Sequence, residues 1–375
     1  MTMQAARYYG SGDVRVEAVP VPVPGPGEAL IAVGACGVCG SDAAEFTHGP
    51  LFTQALAAGH PVSGARLPVV LGHEFAGTVV SVGPDVTDDW VGRVVCCGAG
   101  VSCGACRNCR AGRTNLCSVY YTLGLHADGG LAEFAVAPTD TLVDAGSLGL
   151  TVDAAALGQP MAIAVHSVAR GRLEHGRTAV VVGLGGIGLF IAYAATAAGA
   201  DVVALDVNPD RLPLARALGA DVTLTVENGA CLAETVHELG READVVFEAT
   251  GRPEVLRDCL DLLAPAGRLV AVGVQKGASD QSLRNVTVHE QEIVGTSAHV
   301  CGRDLPRALE LIAARPAGWS DVAGSVLPLS QLVSGGLEPL SSGQAPMTKM
   351  LFDPRIRETR LADYGLAPAS GGNDG

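Results

Sequence analysis

A chain of 375 residues is long enough to form two domains, each with its own hydrophobic core. Its formal net charge of −14 argues against nucleic acid or an anionic membrane as the main partner. The N-terminal sequence MTMQAARYYGSGD lacks the apolar segment of a signal peptide, so we expect a cytoplasmic protein, in which eleven cysteines indicate the presence of metal sites rather than disulfides.

The first third of the chain is predicted to be rich in β-strands. Residues 1–35 alternate apolar and polar side chains and then contain several prolines, a pattern typical of edge strands and turns. Cys36 and Cys39 follow as a CxxC pair, which can be redox-active or bind a metal. His73 and Glu74 come directly after a further strand-like run and are potential partners of these cysteines.

Four cysteines within fifteen residues form the strongest local signal: Cys103, Cys106, Cys109 and Cys117. Their segment has no apolar periodicity, so they are not expected to be core residues. As thiolates they can enclose Zn²⁺ tetrahedrally, in a closed structural site without room for substrate. Three arginines can offset the net −2 charge of four thiolates around one Zn²⁺: Arg107, Arg110 and Arg113. The pattern predicts a structural zinc lobe at about residues 96–120.

The middle of the chain contains a glycine-rich turn between two apolar runs. Ala179–Val182 is predicted to be a buried strand, a helical stretch extends as far as Gly199, and a second strand ends at Asp206. The turn has the spacing of a dinucleotide-binding fingerprint and consists of Gly183, Gly185, Gly186, Ile187 and Gly188.

This fingerprint predicts a site for NAD. The N-terminus of the helix can bind the diphosphate, because its backbone N–H groups are free and carry a partial positive charge. Asp206 is placed to accept both ribose hydroxyls of NAD and to repel the 2′-phosphate of NADP. Arg211 is expected either to line the adenosine side of this site or to lie on a solvated helix face.

The repeated strand–helix pattern after Asp206 predicts a doubly wound parallel sheet. Further strands are expected at Val222–Thr225, Val245–Glu248, Leu269–Val272 and Ile293–Thr296. Asn208 and Pro209 are predicted to start a helix that continues to Leu218, in which Pro213 would remove one hydrogen bond.

Outside this sheet, the sequence predicts several smaller features. Gly129–Pro138 is expected to form a strand pair, and a tail from about Arg303 is expected to contain two helices and a strand at Lys349–Phe352. That strand should return to the first domain, because a lone strand needs a sheet to join. Residues 365–375 are expected to be disordered. Five cysteines are expected in a strand or as buried small side chains: Cys96, Cys97, Cys231, Cys259 and Cys301.

Together these motifs resemble the zinc-dependent medium-chain alcohol dehydrogenases. The resemblance rests on Cys39-Gly-Ser-Asp42, Gly72-His73-Glu74, the four-cysteine lobe and the late fingerprint, and it extends from residue 5 to about residue 353. The long loop before His73 is similar to that of the 2,3-butanediol dehydrogenase branch of the sorbitol dehydrogenase-like enzymes.

The resemblance implies an α/β plus β fold. A GroES-like, β-rich catalytic domain would be split around a Rossmann domain with a doubly wound parallel sheet, and the chain would form a homodimer or homotetramer. The implied segments are 1–160 (catalytic domain with the zinc lobe), 161–300 (Rossmann NAD-binding domain), 301–353 (return to the catalytic domain) and 354–375 (C-terminal tail, expected to be partly disordered).

The resemblance also assigns a catalytic zinc to Cys39 and His73. Glu74 would lie beside the metal and could also reach it. The next family ligand is usually Cys, or Glu before Pro, whereas this chain has Gln159 before Pro160. A neutral amide ligand would leave the site more positive than a carboxylate would, and so favour loss of the alcohol proton.

Ser41 would begin the route by which that proton reaches solvent. Family members often have a His three residues after this Ser, where this chain has Ala44. Glu45, His48 or bulk water would have to take its place.

Taken with this resemblance, the sequence predicts an enzyme with NAD and a structural zinc ion, and the resemblance implies a second, catalytic zinc ion per chain. The expected substrate is a small vicinal diol, hydroxyketone or polyol, such as 2,3-butanediol or acetoin, and no nucleic acid or membrane partner is expected. A cyclitol or sugar dehydrogenase with the same machinery is the alternative, favoured by Gln159 and the missing His. A second alternative is a catalytically inactive NAD-binding sensor or scaffold.

Overall fold

The chain divides into two compact units in the computed structural model, which describes residues 1–227, 232–237, 240–275 and 277–365. The first unit combines residues 1–159 with residues 300–375, and the second consists of residues 160–299. The first unit is therefore discontinuous in sequence. The predictions for Cys231 and for residues 366–375 lie outside the described residues.

The N-terminal part of the first unit is built mainly from β-strands. In chain order these are β1 (Thr2–Gly10), β2 (Asp13–Pro20), β3 (Glu28–Gly37), β4 (Val69–Val70), β5 (Glu74–Val82), β6 (Val94–Cys97), β7 (Gly100–Val101), β8 (Tyr121–Thr122), β9 (Phe134–Pro138) and β10 (Leu142–Asp144). Its α-helices are short: α1 (Gly40–His48), α2 (Arg107–Arg110) and α3 (Val152–Ala155). The predicted β-rich character of this part is confirmed.

Helices and strands alternate in the middle of the chain. The helices are α4 (Gly158–Gly171), α5 (Gly186–Ala197), α6 (Leu212–Ala217), α7 (Leu232–His237), α8 (Pro253–Leu260) and α9 (Arg284–Val288). The strands are β11 (Thr178–Val182), β12 (Asp201–Asp206), β13 (Val222–Thr225), β14 (Ala243–Glu248), β15 (Leu263–Ala271) and β16 (Glu292–Gly295). No helix within the described ranges combines the length and the apolar character needed to cross a membrane.

These six strands form one parallel sheet in the order β13-β12-β11-β14-β15-β16. The chain runs from β11 outward to β13 and then returns to β14 on the other side of β11. In such sheets, ligands bind beyond the carboxyl ends of the strands at the point where the order reverses. The predicted doubly wound sheet is confirmed, and the glycine turn directly follows β11 at this point.

The C-terminal part belongs to the first unit. It contains α10 (Cys301–Ala313), β17 (Ser325–Pro328), a π-helical turn (Val333–Leu337), α11 (Glu338–Ser341), β18 (Leu351–Asp353) and β19 (Arg360–Leu361). The sequence did not predict β17 and β19, because strands of four and two residues are too short to show an alternating pattern.

Strand β3 lies at the centre of the large sheet of the first unit. This sheet has the order β10-β6-β5-β3-β18-β17-β19, and β9 also pairs with β3. Its core contains large side chains that are fully buried: Ile31, Phe75, Leu131 and Phe352. β18 pairs with the end of β3, so the strand expected near residues 349–352 does join the first unit.

The start of the C-terminal tail is anchored to α3. Arg360 donates hydrogen bonds from Nη1 and Nη2 to the two carboxylate oxygens of Asp153 at 2.6 and 2.8 Å. The backbone N–H of Asp363 donates to the same carboxylate at 2.7 Å. These contacts fix Arg360 and Asp363 to the first unit, and partial disorder within residues 354–375 stays a prediction.

The helix predicted from Pro209 to Leu218 is divided in the structure. A 3₁₀ turn at Pro209–Arg211 precedes α6, so Pro213 lies in the first turn of a new helix. A proline is tolerated there because the first helical N–H groups need no partner within the helix. The prediction of one continuous helix was wrong.

The strand pair predicted at Gly129–Pro138 is also wrong, because only β9 is present. Gly129 and Gly130 instead donate backbone hydrogen bonds to the carbonyl oxygens of Val70 and Gly72. A Cβ atom on Gly130 would lie 2.4 Å from the Phe75 side chain, so the backbone passes directly over that ring.

Candidate metal and cofactor sites

Helix α1 carries the first group of site residues. Cys39 immediately precedes the helix and has an extended backbone. Its N–H donates a 2.9 Å hydrogen bond to Oδ2 of Asp42, which fixes the start of the helix. Ser41 lies in the first turn and is partly exposed. The start of α1 therefore fixes the positions of Cys39 and Ser41 relative to each other.

His73 lies between Ser41 and Asp42. Its Nε2 is 3.2 Å from Ser41 Oγ, and its Nδ1 is 3.4 Å from Asp42 Oδ1. Because a carboxylate faces Nδ1, a neutral imidazole favours its proton there and leaves Nε2 as the electron-pair donor. Burial lowers the pKa of His73, but Asp42 and Cys39 outweigh this effect, so the pKa is raised well above its usual value.

Glu74 is the first residue of β5 and forms an ion pair with Lys349. The Lys349 Nζ lies 2.5 Å from Oε1 and 2.8 Å from Oε2 of Glu74. Both side chains are buried. Burial is the largest single effect and lowers the pKa of Lys349, but Glu74, Cys39 and Asp42 together outweigh it, so the pKa is raised.

Cys39, His73 and Glu74 form a group of potential metal ligands. One ligand atom from each residue lies within 4.8 Å of the other two. A thiolate, an imidazole and a carboxylate are the donors that Zn²⁺ prefers. The negative charges that favour a proton on His73 also favour a cation beside it. The residues present therefore fit a zinc ion.

Gln159, the third predicted ligand, is the second residue of α4 and is only 7% exposed. The start of this helix is closely packed within the first unit. A Cβ atom on Gly158 would lie 2.7 Å from Cys96 Sγ and 2.8 Å from Leu309 Cδ2. Glycine at position 158 thus lets the backbone that carries Gln159 approach β6 and α10.

The residues considered for proton transfer after Ser41 differ in their surroundings. Glu45 is fully buried, and its carboxylate accepts hydrogen bonds from the N–H groups of Leu51 and Phe52 and from the hydroxyl of Thr53. These contacts bind Glu45 to the loop after α1 and leave it poorly placed to carry a proton. His48 is exposed at the end of α1, and Ala44 carries no polar group.

The four-cysteine lobe brings its sulfur atoms together. All four lie within 4.8 Å of one another, and the Cys106–Cys109 and Cys103–Cys117 sulfur pairs are each 3.5 Å apart. A tetrahedral site with Zn–S distances near 2.3 Å requires a separation of about 3.8 Å. The lobe therefore fits a zinc ion, and its three arginines are exposed on the surface: Arg107, Arg110 and Arg113.

Backbone N–H groups prepare two of these thiols for metal binding. The N–H groups of Cys109 and Ser118 lower the pKa of Cys106 to about 5, and those of Ala105 and Cys106 lower the pKa of Cys103. Burial instead raises the pKa of Cys109 to about 11. Thiolates are the form that binds zinc.

The glycine turn has the geometry that a dinucleotide needs. Gly183 has φ +93°, a conformation that favours glycine, and a Cβ atom on Gly188 would lie 1.8 Å from the Gly183 oxygen. Gly185 has open space around its missing Cβ and directly precedes α5, which begins with Gly186 and Ile187. The backbone is therefore accessible to a diphosphate at the helix N-terminus.

Asp206 ends β12 beside this turn and is 5% exposed. It accepts hydrogen bonds from the N–H of Leu184 at 2.6 Å and from the N–H of Asn208 at 2.8 Å. Arg211 Nη1 lies 3.2 Å from the same carboxylate. The structure thus places Arg211 at the acidic residue of the fingerprint.

Two residues of the site were missed by the sequence analysis. Asp42 was part of a quoted motif, but no role was assigned to it, although it contacts both Cys39 and His73. Lys349 was assigned only to a strand. In the sequence, Lys349 is a charged residue directly before an apolar run, and this pattern alone does not indicate a role in a metal site.

Comparisons with known proteins agree with this geometry. Residues 25–147 match the alcohol dehydrogenase GroES-like domain, and residues 186–314 match the zinc-binding dehydrogenase family. The chain is 30% identical over 356 residues to (R,R)-butanediol dehydrogenase of Neisseria gonorrhoeae, which covers 94% of this chain and 100% of that protein. The chain belongs to the zinc-binding medium-chain dehydrogenase superfamily.

Two further similarities support this assignment. The dehydrogenase is 32% identical over 279 residues to sorbitol dehydrogenase of Bacillus subtilis, covering 72% of this chain and 75% of that protein. The crystal structure of 2R,3R-butanediol dehydrogenase from Bacillus subtilis superimposes with a TM-score of 0.85 at 31% identity, covering 94% and 99% of the two chains.

The predicted superfamily, fold class and enzymatic nature are confirmed. The protein is an NAD(P)-dependent zinc dehydrogenase that acts on the CH–OH group of an alcohol or polyol. The alternative of a catalytically inactive sensor or scaffold is therefore not supported.

Proposed function

We propose that this dehydrogenase transfers hydride between NAD and a small vicinal diol or hydroxyketone, such as 2,3-butanediol or acetoin. The observation that carries the proposal is the 3.2 Å contact between Ser41 Oγ and His73 Nε2, beside Cys39. It places a hydroxyl group next to the nitrogen that is free to bind a metal. The similarity to two butanediol dehydrogenases supports the choice of substrate.

Cys39 and His73, with Glu74 or Gln159, would hold the catalytic zinc, which when bound supplies Lewis-acid polarisation of the substrate hydroxyl. Asp42 orients the His73 ring and anchors the Cys39 backbone. Ser41 accepts the substrate proton at Oγ as its own hydroxyl proton leaves. Because Ser41 is partly exposed and Glu45 is engaged elsewhere, the proton leaves Ser41 directly to water.

We propose NAD rather than NADP as the cofactor, and its nicotinamide supplies the hydride acceptor. Asp206 supports this choice, since a buried carboxylate at the end of β12 can accept the ribose hydroxyls and repels a 2′-phosphate. Arg211 now shares that carboxylate, and its side chain is 38% exposed, so it is free to turn outward when ribose binds.

The test is a comparison of initial rates. Reduction of NAD⁺ and NADP⁺ is followed with (R,R)-2,3-butanediol, sorbitol and myo-inositol, and zinc is counted per chain. We expect a kcat/KM for butanediol with NAD⁺ at least tenfold above the other combinations, together with two zinc ions. Ser41→Ala should keep both zinc ions and lose about 10²-fold in kcat, the scale of positioned proton transfer.

A higher kcat/KM with inositol or sorbitol would instead support the cyclitol or sugar dehydrogenase, which Gln159 favours. Rates with Ser41→Ala that equal those of the wild type would refute the assigned proton route.

A further inference from the structure

Glu248 is a buried carboxylate at the carboxyl end of β14 that the proposed function does not use. The residue is 0% exposed. Its Oε1 accepts hydrogen bonds from the N–H groups of Thr250 and Gly251 at 2.6 and 2.9 Å and from the Thr250 hydroxyl at 2.5 Å. A buried carboxylate is stable where hydrogen-bond donors replace water around it. Oε1 therefore fixes the turn that follows β14.

The other carboxylate oxygen of Glu248 contacts the turn after β15. Oε2 accepts a 2.8 Å hydrogen bond from Nε2 of Gln275, and the same Nε2 donates to the Gly273 carbonyl oxygen at 3.2 Å. The Glu248 carbonyl oxygen in turn accepts hydrogen bonds from the N–H groups of Val272 and Gly273, both at 2.9 Å. Glu248 thus holds the turn after β15 through both its side chain and its backbone.

Glycines allow these turns to touch. A Cβ atom on Gly273 would lie 2.1 Å from the Gly251 nitrogen, and a Cβ atom on Gly251 would lie 2.5 Å from the Val274 oxygen. On the other side, a Cβ atom on Gly183 would lie 2.6 Å from Cγ2 of Thr250. The turns after β11, β14 and β15 therefore pack directly against one another.

These turns lie on the side of the sheet where the second nucleotide of a dinucleotide binds. In a doubly wound sheet, the two nucleotides lie over the two halves of the sheet, on either side of the point where the strand order reverses. The proposed function uses Asp206 of β12 for the adenosine ribose, which leaves the carboxyl ends of β14 and β15 for the nicotinamide nucleotide. Backbone that is already held in place reduces the entropy lost when the cofactor binds.

We propose that Glu248 is a positioning residue for the nicotinamide half of the cofactor and that it acts through Gln275. The hydrogen bond between the two side chains joins the turn after β14 to the turn after β15, and so fixes the backbone that the nicotinamide nucleotide would contact. This inference rests on the cofactor site of the proposed function. Both residues belong to the second unit, so the inference requires neither zinc ion.

The experiment measures cofactor binding rather than turnover. Calorimetric titration gives the Kd for NADH, which contains both nucleotides, and for AMP, which contains only the adenosine half. Glu248→Gln keeps an acceptor for the three donors at Oε1 but turns an NH₂ group toward the Gln275 amide, so it breaks this one contact. We expect the Kd for NADH to rise at least fivefold, while the Kd for AMP stays within about twofold of the wild type.

Gln275→Met removes the same contact from the other side and is the test should Glu248→Gln fail to fold. It should weaken NADH binding by a similar factor. The double variant should lose no more than the weaker-binding single variant, because the contact can be lost only once. Ser279→Ala is the matched control, since this hydroxyl donates from the same loop to the Pro253 carbonyl oxygen, and NADH binding should stay within about twofold of the wild type.

Three results would overturn the inference. Unchanged NADH binding in Gln275→Met would show that the contact does not matter, and NADH and AMP affinities that fall together would show a general structural role. Losses that multiply in the double variant would show that the two residues act separately.

The wild type separates this inference from the proposed function. A wild type that binds NADPH but not NADH would refute only the proposed cofactor, and the same losses measured with NADPH would still support the role of Glu248. A wild type that binds neither dinucleotide would refute the cofactor site, and the inference with it.

Discussion

Asp42 supports His73 from the side opposite to Ser41, with Oδ1 3.4 Å from Nδ1. We expect Asp42→Asn to weaken catalytic zinc binding 10–100-fold, because the amide can present its NH₂ group to Nδ1 and favour the wrong tautomer. The measurement is chelator competition at the catalytic site. Asp13→Asn, at a carboxylate that is 40% exposed and pairs with Arg15, is the control and should not change the affinity. Unchanged zinc binding in Asp42→Asn would show that the carboxylate does not orient the ring.

Asp206 should determine the choice of cofactor. Loss of its charge in Asp206→Asn removes charge-assisted hydrogen bonds to ribose, each of which contributes about 1.5–3 kcal/mol, so kcat/KM for NAD should fall about 10- to 100-fold. The ratio of NADP to NAD activity should rise, because the repulsion of the 2′-phosphate is lost. Asp201→Asn, at the exposed opposite end of β12, is the matched control. An unaltered cofactor ratio in Asp206→Asn would contradict the assigned role.

Glu45 should stabilise the loop after α1. In Glu45→Gln, one acceptor oxygen becomes an NH₂ group that faces N–H donors, and we expect the protein to lose about 1–3 kcal/mol of stability. Hydrogen exchange at Leu51 and Phe52 should accelerate, since their N–H groups bind this carboxylate. The exposed Glu234→Gln serves as the control. Exchange at both amides that is as slow in Glu45→Gln as in the wild type would show that the Glu45 charge does not stabilise the loop.

The four-cysteine lobe should hold one of the two zinc ions. Cys106→Ser removes one thiolate, and metal analysis should then give one zinc per chain instead of two, together with a lower Tm. Cys259→Ser alters a fully buried cysteine of the second unit and should leave the zinc count unchanged. Two tightly bound zinc ions in Cys106→Ser would mean that the lobe does not bind the metal through all four sulfurs.

Tyr8 should make stability fall at alkaline pH. Its hydroxyl donates to the Glu45 carbonyl oxygen, and burial, followed by the nearby Glu45 carboxylate, raises the pKa of Tyr8 to about 12. The neutral phenol thus stabilises the fold below pH 10, and this contribution, up to about 2.7 kcal/mol, is lost as pH rises from 10 to 12. Denaturant unfolding of Tyr8→Phe should show a shallower decline over this interval, and a wild-type slope would contradict the assignment.

The second unit could be predicted closely because its signals are local. The strand expected at Ala179–Val182 is β11 (Thr178–Val182), and the helix and acidic residue follow at the expected positions. A glycine turn between two apolar runs is contained in a short window of sequence. The prediction failed at Pro213, because α6 begins at Leu212 and does not continue from Pro209.

The metal site could be predicted only in part, because its supporting contacts are distant in sequence. The resemblance to the family's motifs gave Cys39, Ser41 and His73 as candidates. No pattern showed that Lys349, 275 positions after Glu74, would meet that carboxylate. Glu45 was considered for proton transfer as a replacement for the family His, whose position is occupied here by Ala44. Its carboxylate instead accepts hydrogen bonds from the N–H groups of Leu51 and Phe52 in the loop after α1.

The division of the first unit also has a consequence for how the enzyme is made. Residues 160–299 are continuous, so this unit can complete its sheet during synthesis, since domains generally fold as units while the chain emerges. Glu74 emerges early from the ribosome, but its cationic partner is translated near the end. In a nascent chain that stalls just before Lys349, the second unit would therefore be folded, but the buried Glu74 carboxylate of the first unit would have no cation beside it. Such a chain would be exposed to chaperones and proteases.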